Sequence, residues 1–129
     1  VLGVIAKFVK KNKGDIDDLK LLHNYKEYTA KLTQALAVEP TSVEVVNELV
    51  PPVVYSYTSA GKYLLTSTGA FPDEDKVVIT LGTFNKVWGA DVKAYWVDAN
   101  SIAIESGNTT DYIDDSIITN MPISIKVYN

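Results

Sequence analysis

From Tyr25 to the C-terminus the chain alternates apolar and polar residues with a period of two, in short runs broken by turn residues. Successive side chains of a strand point to opposite faces, so this period marks strands with one face buried and one in water. The first run is YKEYTAKLTQALAV, residues 25–38. Tyr28, Ala30, Leu32, Leu36 and Val38 fall on its apolar face, interrupted by Gln34, and Glu27, Thr29, Lys31 and Thr33 fall on the other. The pattern places Tyr28, Leu32 and Leu36 in the core. Glu39-Pro40-Thr41-Ser42 reads as a turn, because proline has no N–H to give a ladder.

Further runs follow at residues 43–48, 53–57, 62–68, 76–81, 87–97, 101–105 and 122–128. KVVITL, residues 76–81, is almost wholly apolar, which predicts a strand central to its sheet. Residues 87–97 put Trp88, Ala90, Val92, Ala94 and Trp96 on one face and Asp91, Lys93 and Tyr95 on the other. Gly89 within that run predicts a bulge or a close backbone approach. Residues 106–116 are polar and acidic and read as a long surface loop. The closing run points Ile123, Ile125 and Val127 inward. Short strands about 8 to 12 residues apart, separated by turns, predict an all-β domain over residues 25–129, an antiparallel β-sandwich or a jelly-roll-like fold.

Residues 1–24 do not share this period and read as a short helical segment preceding the domain. Leu2, Ile5, Val9, Asn12, Ile16, Leu19 and His23 are spaced by alternating steps of three and four, as in a coiled-coil seam. Leu2, Ile5, Val9, Ile16 and Leu19 are therefore the candidates for oligomerisation or docking. Gly14 followed by Asp15 also reads as a helix end and a new N-cap, so the same residues fit two short helices that dock on a neighbouring chain or on the domain. His23 and Asn24 stand where a hinge between the two parts is expected. The segment's lysines follow its apolar start, the reverse of a signal peptide.

Composition excludes several chemistries. There is no cysteine and a single histidine, so thiolate metal sites and cysteine nucleophiles are ruled out and His-rich sites or Ser-His-Asp triads nearly so. A net charge of -4 disfavours nucleic acid, whose phosphates need a basic face. No apolar run is long enough to span a bilayer. Phosphate loops, dinucleotide fingerprints and nucleophile elbows are missing, and no pair of carboxylates is singled out by spacing for glycoside hydrolysis. The expectation is a protein with no catalytic residues, no metal and no cofactor. Asn108-Thr109-Thr110 matches a glycosylation acceptor, relevant only in a eukaryotic secreted setting.

Aromatic residues are the better site candidates. Trp88 and Trp96 share a face with Ala90, Val92 and Ala94 and read as core. Tyr95 and Tyr128 lie on polar faces, where a ring can stack on a ligand such as a sugar, and are the expected ligand contacts.

YKEYTAKLTQ at residues 25–34, YTSAGKYLLTSTGAF at 57–71 and PISIKVYN at 122–129 resemble small β-rich proteins of bacteriophages and prophages, especially those of Bacteroidetes. Such proteins carry a YxxYTAxLTQ-like opening strand, an AGxYxxTxTGAF segment and a terminal PIxIxVYN-like strand. The resemblance covers residues 25–129 and leaves out the N-terminal segment. It implies a virion-borne or extracellular accessory protein: a head fibre, capsid decoration or tail appendage. Its partners would be other virion proteins, further copies of itself in a trimer, and possible host surface glycans. A carbohydrate-binding module of a secreted or cell-surface bacterial protein is the alternative expectation. The family's motifs mark turns and strands, so no active-site residue is carried over.

Overall fold

The computed structural model describes residues 24–83, 89–108 and 110–129. Leu2, Ile5, Val9, Ile16, Leu19, His23 and Trp88 lie outside these residues, and with them the helical segment expected over residues 1–24. The described chain forms β1 (Tyr25–Thr33), β2 (Thr41–Asn47), β3 (Val54–Ser59) and β4 (Lys62–Thr66), then a 3-10 turn (Glu74–Lys76). It continues through β5 (Val77–Leu81), β6 (Ala90–Asp98), β7 (Ser101–Asn108) and β8 (Met121–Tyr128). Two four-stranded antiparallel sheets result, sheet A in the order β2-β1-β8-β5 and sheet B in the order β3-β4-β7-β6. Among the described residues no helix is long and apolar enough to cross a membrane.

Both sheets turn one face to a shared core, the arrangement of a β-sandwich. Sheet A supplies Tyr28, Ala30, Leu32, Met121, Ile123, Ile125 and Val127, and sheet B supplies Tyr63, Leu65, Ile102 and Ile104. Leu49, Phe71 and Ile118, from the connections, complete it. The period of two is clean in β8, where Met121, Ile123, Ile125 and Val127 are buried and their neighbours half-buried. It vanishes in β7, where every residue from Ser101 to Gly107 is buried. β7 is central in sheet B, and residues beyond its end cover part of its outer face.

Four expectations are corrected. The first run stops being a strand at Thr33, and Leu36 and Val38 are 73% and 46% exposed. The chain reverses there through Ala37, whose φ of 56° is left-handed, so the turn falls at residues 36–38, and Thr41 and Ser42, expected in it, open β2. Gln34, read as an interruption, is the fastener of this reversal and is only 2% exposed. Its Nε2 donates to the carbonyls of Ala35 and, at 2.9 Å, Val38. Its Oε1 accepts from the Ser116 N–H at 2.7 Å, and its own N–H donates to the Ile118 carbonyl at 3.0 Å.

β5 is an edge strand of sheet A, not a central one, and Val78 on its outer face is 49% exposed. The central places go to β1 and β8, which join the two ends of the domain. Gly89 makes neither a bulge nor a close approach: it has a φ of 83° in the turn before β6, with open space around the place of a Cβ. The β6 register shift lies instead between Trp96 and Asp98. Residues 106–116 are not a free surface loop. Ser106 and Gly107 belong to β7, and the residues after them fold back over the sheet.

Candidate functional site

Three groupings of polar and aromatic side chains emerge. The first is half-buried at the margin of the core. Tyr57 and Tyr63, on the inward faces of β3 and β4, converge on Asp115 with ring centres 5.9 Å apart. Their hydroxyls donate to Asp115 Oδ2 and Oδ1 at 2.8 and 2.7 Å. The N–H groups of Gly61 and Ala37 donate to the same carboxylate at 2.9 and 3.2 Å. Burial alone would raise the Asp115 carboxyl, but the bonds from Gly61, Tyr63, Tyr57 and Ala37 outweigh it and hold the group below its ordinary range. Burial pushes Tyr63 up, with Asp115 adding to it, and the bond to Asp115 pushes Tyr57 up. A second pair, the buried Tyr28 and the half-buried Tyr55, shares a hydroxyl contact of 2.7 Å across the sandwich. Burial raises both. These groups hold their protonation states firmly, which suits a strut.

The second grouping lies on the outer face of sheet B. Glu105 on β7 accepts from Lys62 Nζ at 2.6 Å and pairs with Lys93 Nζ at 3.2 Å, from the strands on either side. Burial opposes the charge of Glu105, but the two lysines prevail and its carboxyl is lowered. The Lys93 ammonium stands 4.2 Å from the centre of the Tyr112 ring and 5.9 Å from that of Tyr95. Tyr112 donates to Asp91 Oδ2 at 2.6 Å. Tyr95, 45% exposed, is the ring here that meets solvent most openly. The charges of this face are largely satisfied by one another. Glu105→Ala is expected to lower stability by only about 1 kcal/mol, because both lysines are some 40–50% exposed and water replaces their partner. Chemical denaturation of the variant checks this.

The third grouping is a cleft of about 380 Å³ at the end of the sandwich where the domain begins and ends. The register builds it. On β8 Val127 faces inward, with Lys26 of β1 on one side and Val77 of β5 on the other. Lys26 thus takes an inward position one layer beyond the core, and Lys76, just before β5, reaches the same mouth. From the connections come Leu49 and Val50, and Gly69, Ala70, Pro72 and Asp73. Tyr128 and Asn129 complete the wall.

These walls are tied down. Phe71 is fully buried, and its carbonyl accepts from Trp96 Nε1 at 3.0 Å while its N–H donates to the Ala99 carbonyl at 2.9 Å. Gly69 N–H donates to Asn100 Oδ1 at 2.8 Å. Ser67 Oγ donates to the Pro51 carbonyl, and Asn129 N–H donates to the Asn24 carbonyl at 2.9 Å.

The structure places the two expected ligand contacts far apart. Tyr95 is on β6 in sheet B, and Tyr128 is on β8 in sheet A, its ring 5.2 Å from that of Tyr25. No single ligand platform unites them. Trp96 packs on the core as expected. Lys26, Lys76, Glu105 and Asp115 were not legible as site residues. Only the inward register of Lys26, at the rim of an otherwise apolar face, hinted at a mouth. Among the described residues no group of three His, Asp or Glu side chains gathers to hold a metal. No family model, no curated protein and no solved structure matches this chain.

Proposed function

We propose that this chain is a non-enzymatic accessory protein of a bacteriophage virion, a head fibre, capsid decoration or tail appendage, anchored through residues 1–24 and displaying its β-sandwich outward. The observation that carries the reading is where the resembling segments lie. YKEYTAKLTQ forms β1 and PISIKVYN forms most of β8, its ladder partner. YTSAGKYLLTSTGAF runs from the end of β3 through β4 to the buried Phe71. The likeness therefore falls on one connected frame. Against a glycosidase role for Glu105 and Asp115 stands the lowering of both carboxyls by their partners, the opposite of the shift a glycosidase acid needs. Docking on other coat proteins is supported by Leu36, Val43 and Val45, 73%, 68% and 65% exposed near the open edge of sheet A.

The expected result is the presence of this chain, at a fixed ratio to the coat proteins, in mass spectra of purified virions. Virions that contain their other coat proteins but lack this chain would overturn the proposal. Deleting residues 1–24 is expected to leave a folded monomer in light scattering. Retention of the full-length oligomeric state by the deleted form would remove the anchor from the proposal.

A second reading, a carbohydrate-binding module of a secreted or cell-surface bacterial protein, is favoured by Tyr95 standing exposed beside Lys93 on an open sheet face. A glycan array tests it. Silence across bacterial capsular and plant glycans counts decisively against it, and binding lost in Tyr95→Ala supports it.

A further inference from the structure

We infer that the cleft at the end of the sandwich is the docking site of the chain's own residues 19–22, LKLL, whose leucines fill it within the same molecule. The inference goes beyond the proposed function. It divides residues 1–24 into a part held on the domain and a part, with Leu2, Ile5 and Val9, left to reach outward.

Where the chain enters the domain makes the first argument. The Asn24 carbonyl accepts from the Asn129 N–H at 2.9 Å, and Asn129 and Lys26 both line the cleft. The chain therefore comes into β1 at the cleft mouth. A chain spans at most about 3.6 Å per residue, so Leu22 lies within about 14 Å of Lys26 and Leu19 within about 25 Å. Leu19, Leu21 and Leu22 are the aliphatic residues nearest before Asn24. Their tether keeps them at the mouth at a local concentration on the order of millimolar. The same residues of a second copy have no such advantage.

The walls make the second argument. Leu49, Val50, Ala70, Pro72 and Val127 give the cleft an apolar lining. Val50 is 76% exposed, although Leu49 beside it is buried in the core. Apolar surface left open in a concavity gains by being covered. A volume of about 380 Å³ lies near the lower end of ligand clefts, a space for a few side chains. The hydrogen bonds that fix residues 67–71 hold this wall in advance, so the domain needs little ordering when the leucines dock. The spacing of residues 1–24 fits either a coiled-coil seam or helices that dock on the domain. For residues 19–22 the cleft favours docking on the domain.

The test is the heteronuclear NOE of the backbone amides of the full chain, which reports fast local motion. Leu19, Leu21 and Leu22 are expected to match the residues of β1 and β8, and to drop to the values of a free tail in Val50→Asp. Val78→Asp, on the outer face of β5, is expected to leave them unchanged. Both valines are exposed, so neither substitution unfolds the domain, and circular dichroism confirms it. The double variant Leu21→Ser, Leu22→Ser is expected to shift the amides of Gly69 and Ala70, far away in sequence, and Leu2→Ser to leave them in place. Free-tail values in the parent, ordered values that persist in Val50→Asp, or Gly69 and Ala70 amides unmoved by the leucine pair would each overturn the inference. So would loss of the ordered values on dilution of the parent, since a second copy would then be the occupant. Virions that lack the chain would overturn the proposed function and leave this docking standing.

Discussion

Replacing Asp115 by alanine is expected to destabilise the domain by about 2 kcal/mol, the partial exposure of the carboxylate and of Tyr57 keeping the loss below that of a fully buried acceptor. The carboxylate accepts from two tyrosine hydroxyls and two backbone N–H groups. Truncation leaves those donors without their acceptor, and Tyr63 keeps only its contact with Ser106 Oγ at 3.2 Å. For a domain of this size the midpoint of thermal unfolding falls by roughly 8–16 °C. Asp115→Asn recovers only part, because its NH₂ group presents a donor where donors already point.

The same carboxylate sets an acid limit. Its value in the folded state lies below the ordinary 3.8, so its contribution is complete above that value and is lost as pH falls through the lower folded value. Denaturation midpoints of the parent protein are expected to decline below about pH 4, and those of Asp115→Asn to decline less steeply. The buried tyrosines set the alkaline limit. Tyr28, Tyr55 and Tyr63 are raised above the ordinary 10.0 by burial, so stability is complete below that value and declines as pH rises beyond it.

Gly107→Ala is expected to be at least as damaging, with a cost of several kcal/mol or failure to fold. A Cβ at this position would lie 2.1 Å from the Asp111 carbonyl oxygen, 2.8 Å from Tyr112 Cα and 2.9 Å from the Ile113 nitrogen. All are backbone atoms, so no rotamer change relieves the clash. The Asp111 carbonyl is also the acceptor of the Asn108 N–H at 2.9 Å. Lifting residues 111–113 away would pull on Asp114, whose N–H donates to the Ser106 carbonyl at 3.1 Å, and on Asp115 beside it. Gly61→Ala attacks the same seam from the turn between β3 and β4, with a Cβ 2.4 Å from the Ser106 carbonyl oxygen. Expression level and the thermal midpoint of Gly107→Ala provide the measurement, against Gly69→Ala, where a Cβ meets no atom and only the left-handed φ of 74° costs about 1 kcal/mol. A midpoint for Gly107→Ala within a few degrees of the parent would contradict the close packing of residues 110–115 on β7.

What could be read from the chain alone was periodic. β4 and β8 bury every second residue along their length, so Tyr63, Leu65, Ile123, Ile125 and Val127 were legible as core. The all-β character follows from the same local rules, whereas the turn expected over residues 39–42 falls earlier, at residues 36–38. Leu36 and Val38 continue the period of two that Tyr28 and Leu32 begin, and no local signal separates them. They are exposed because Gln34 finds partners in Ser116 and Ile118, some eighty residues away. KVVITL is apolar enough for a central strand, yet pairing of β1 with β8 takes the centre of sheet A and leaves β5 at the edge.

The candidate sites divide in the same way. Tyr95 and Tyr128 were legible because polar-face aromatics show in the alternation itself. Asp115 lay in an acidic run with nothing to distinguish it from Asp111 or Asp114. Its role as an acceptor appears only when β3, β4 and residues 110–116 meet. The cleft is likewise tertiary. Lys26 and Lys76 are fifty residues apart in sequence and come to one mouth because β1 and β5 both flank β8. The sequence by itself determined the strands, most of their inward faces and the absence of thiol chemistry, since each depends on a residue and its near neighbours. The tertiary structure decided the strand order, the role of Asp115 as acceptor and the cleft, since each depends on which distant strands become partners.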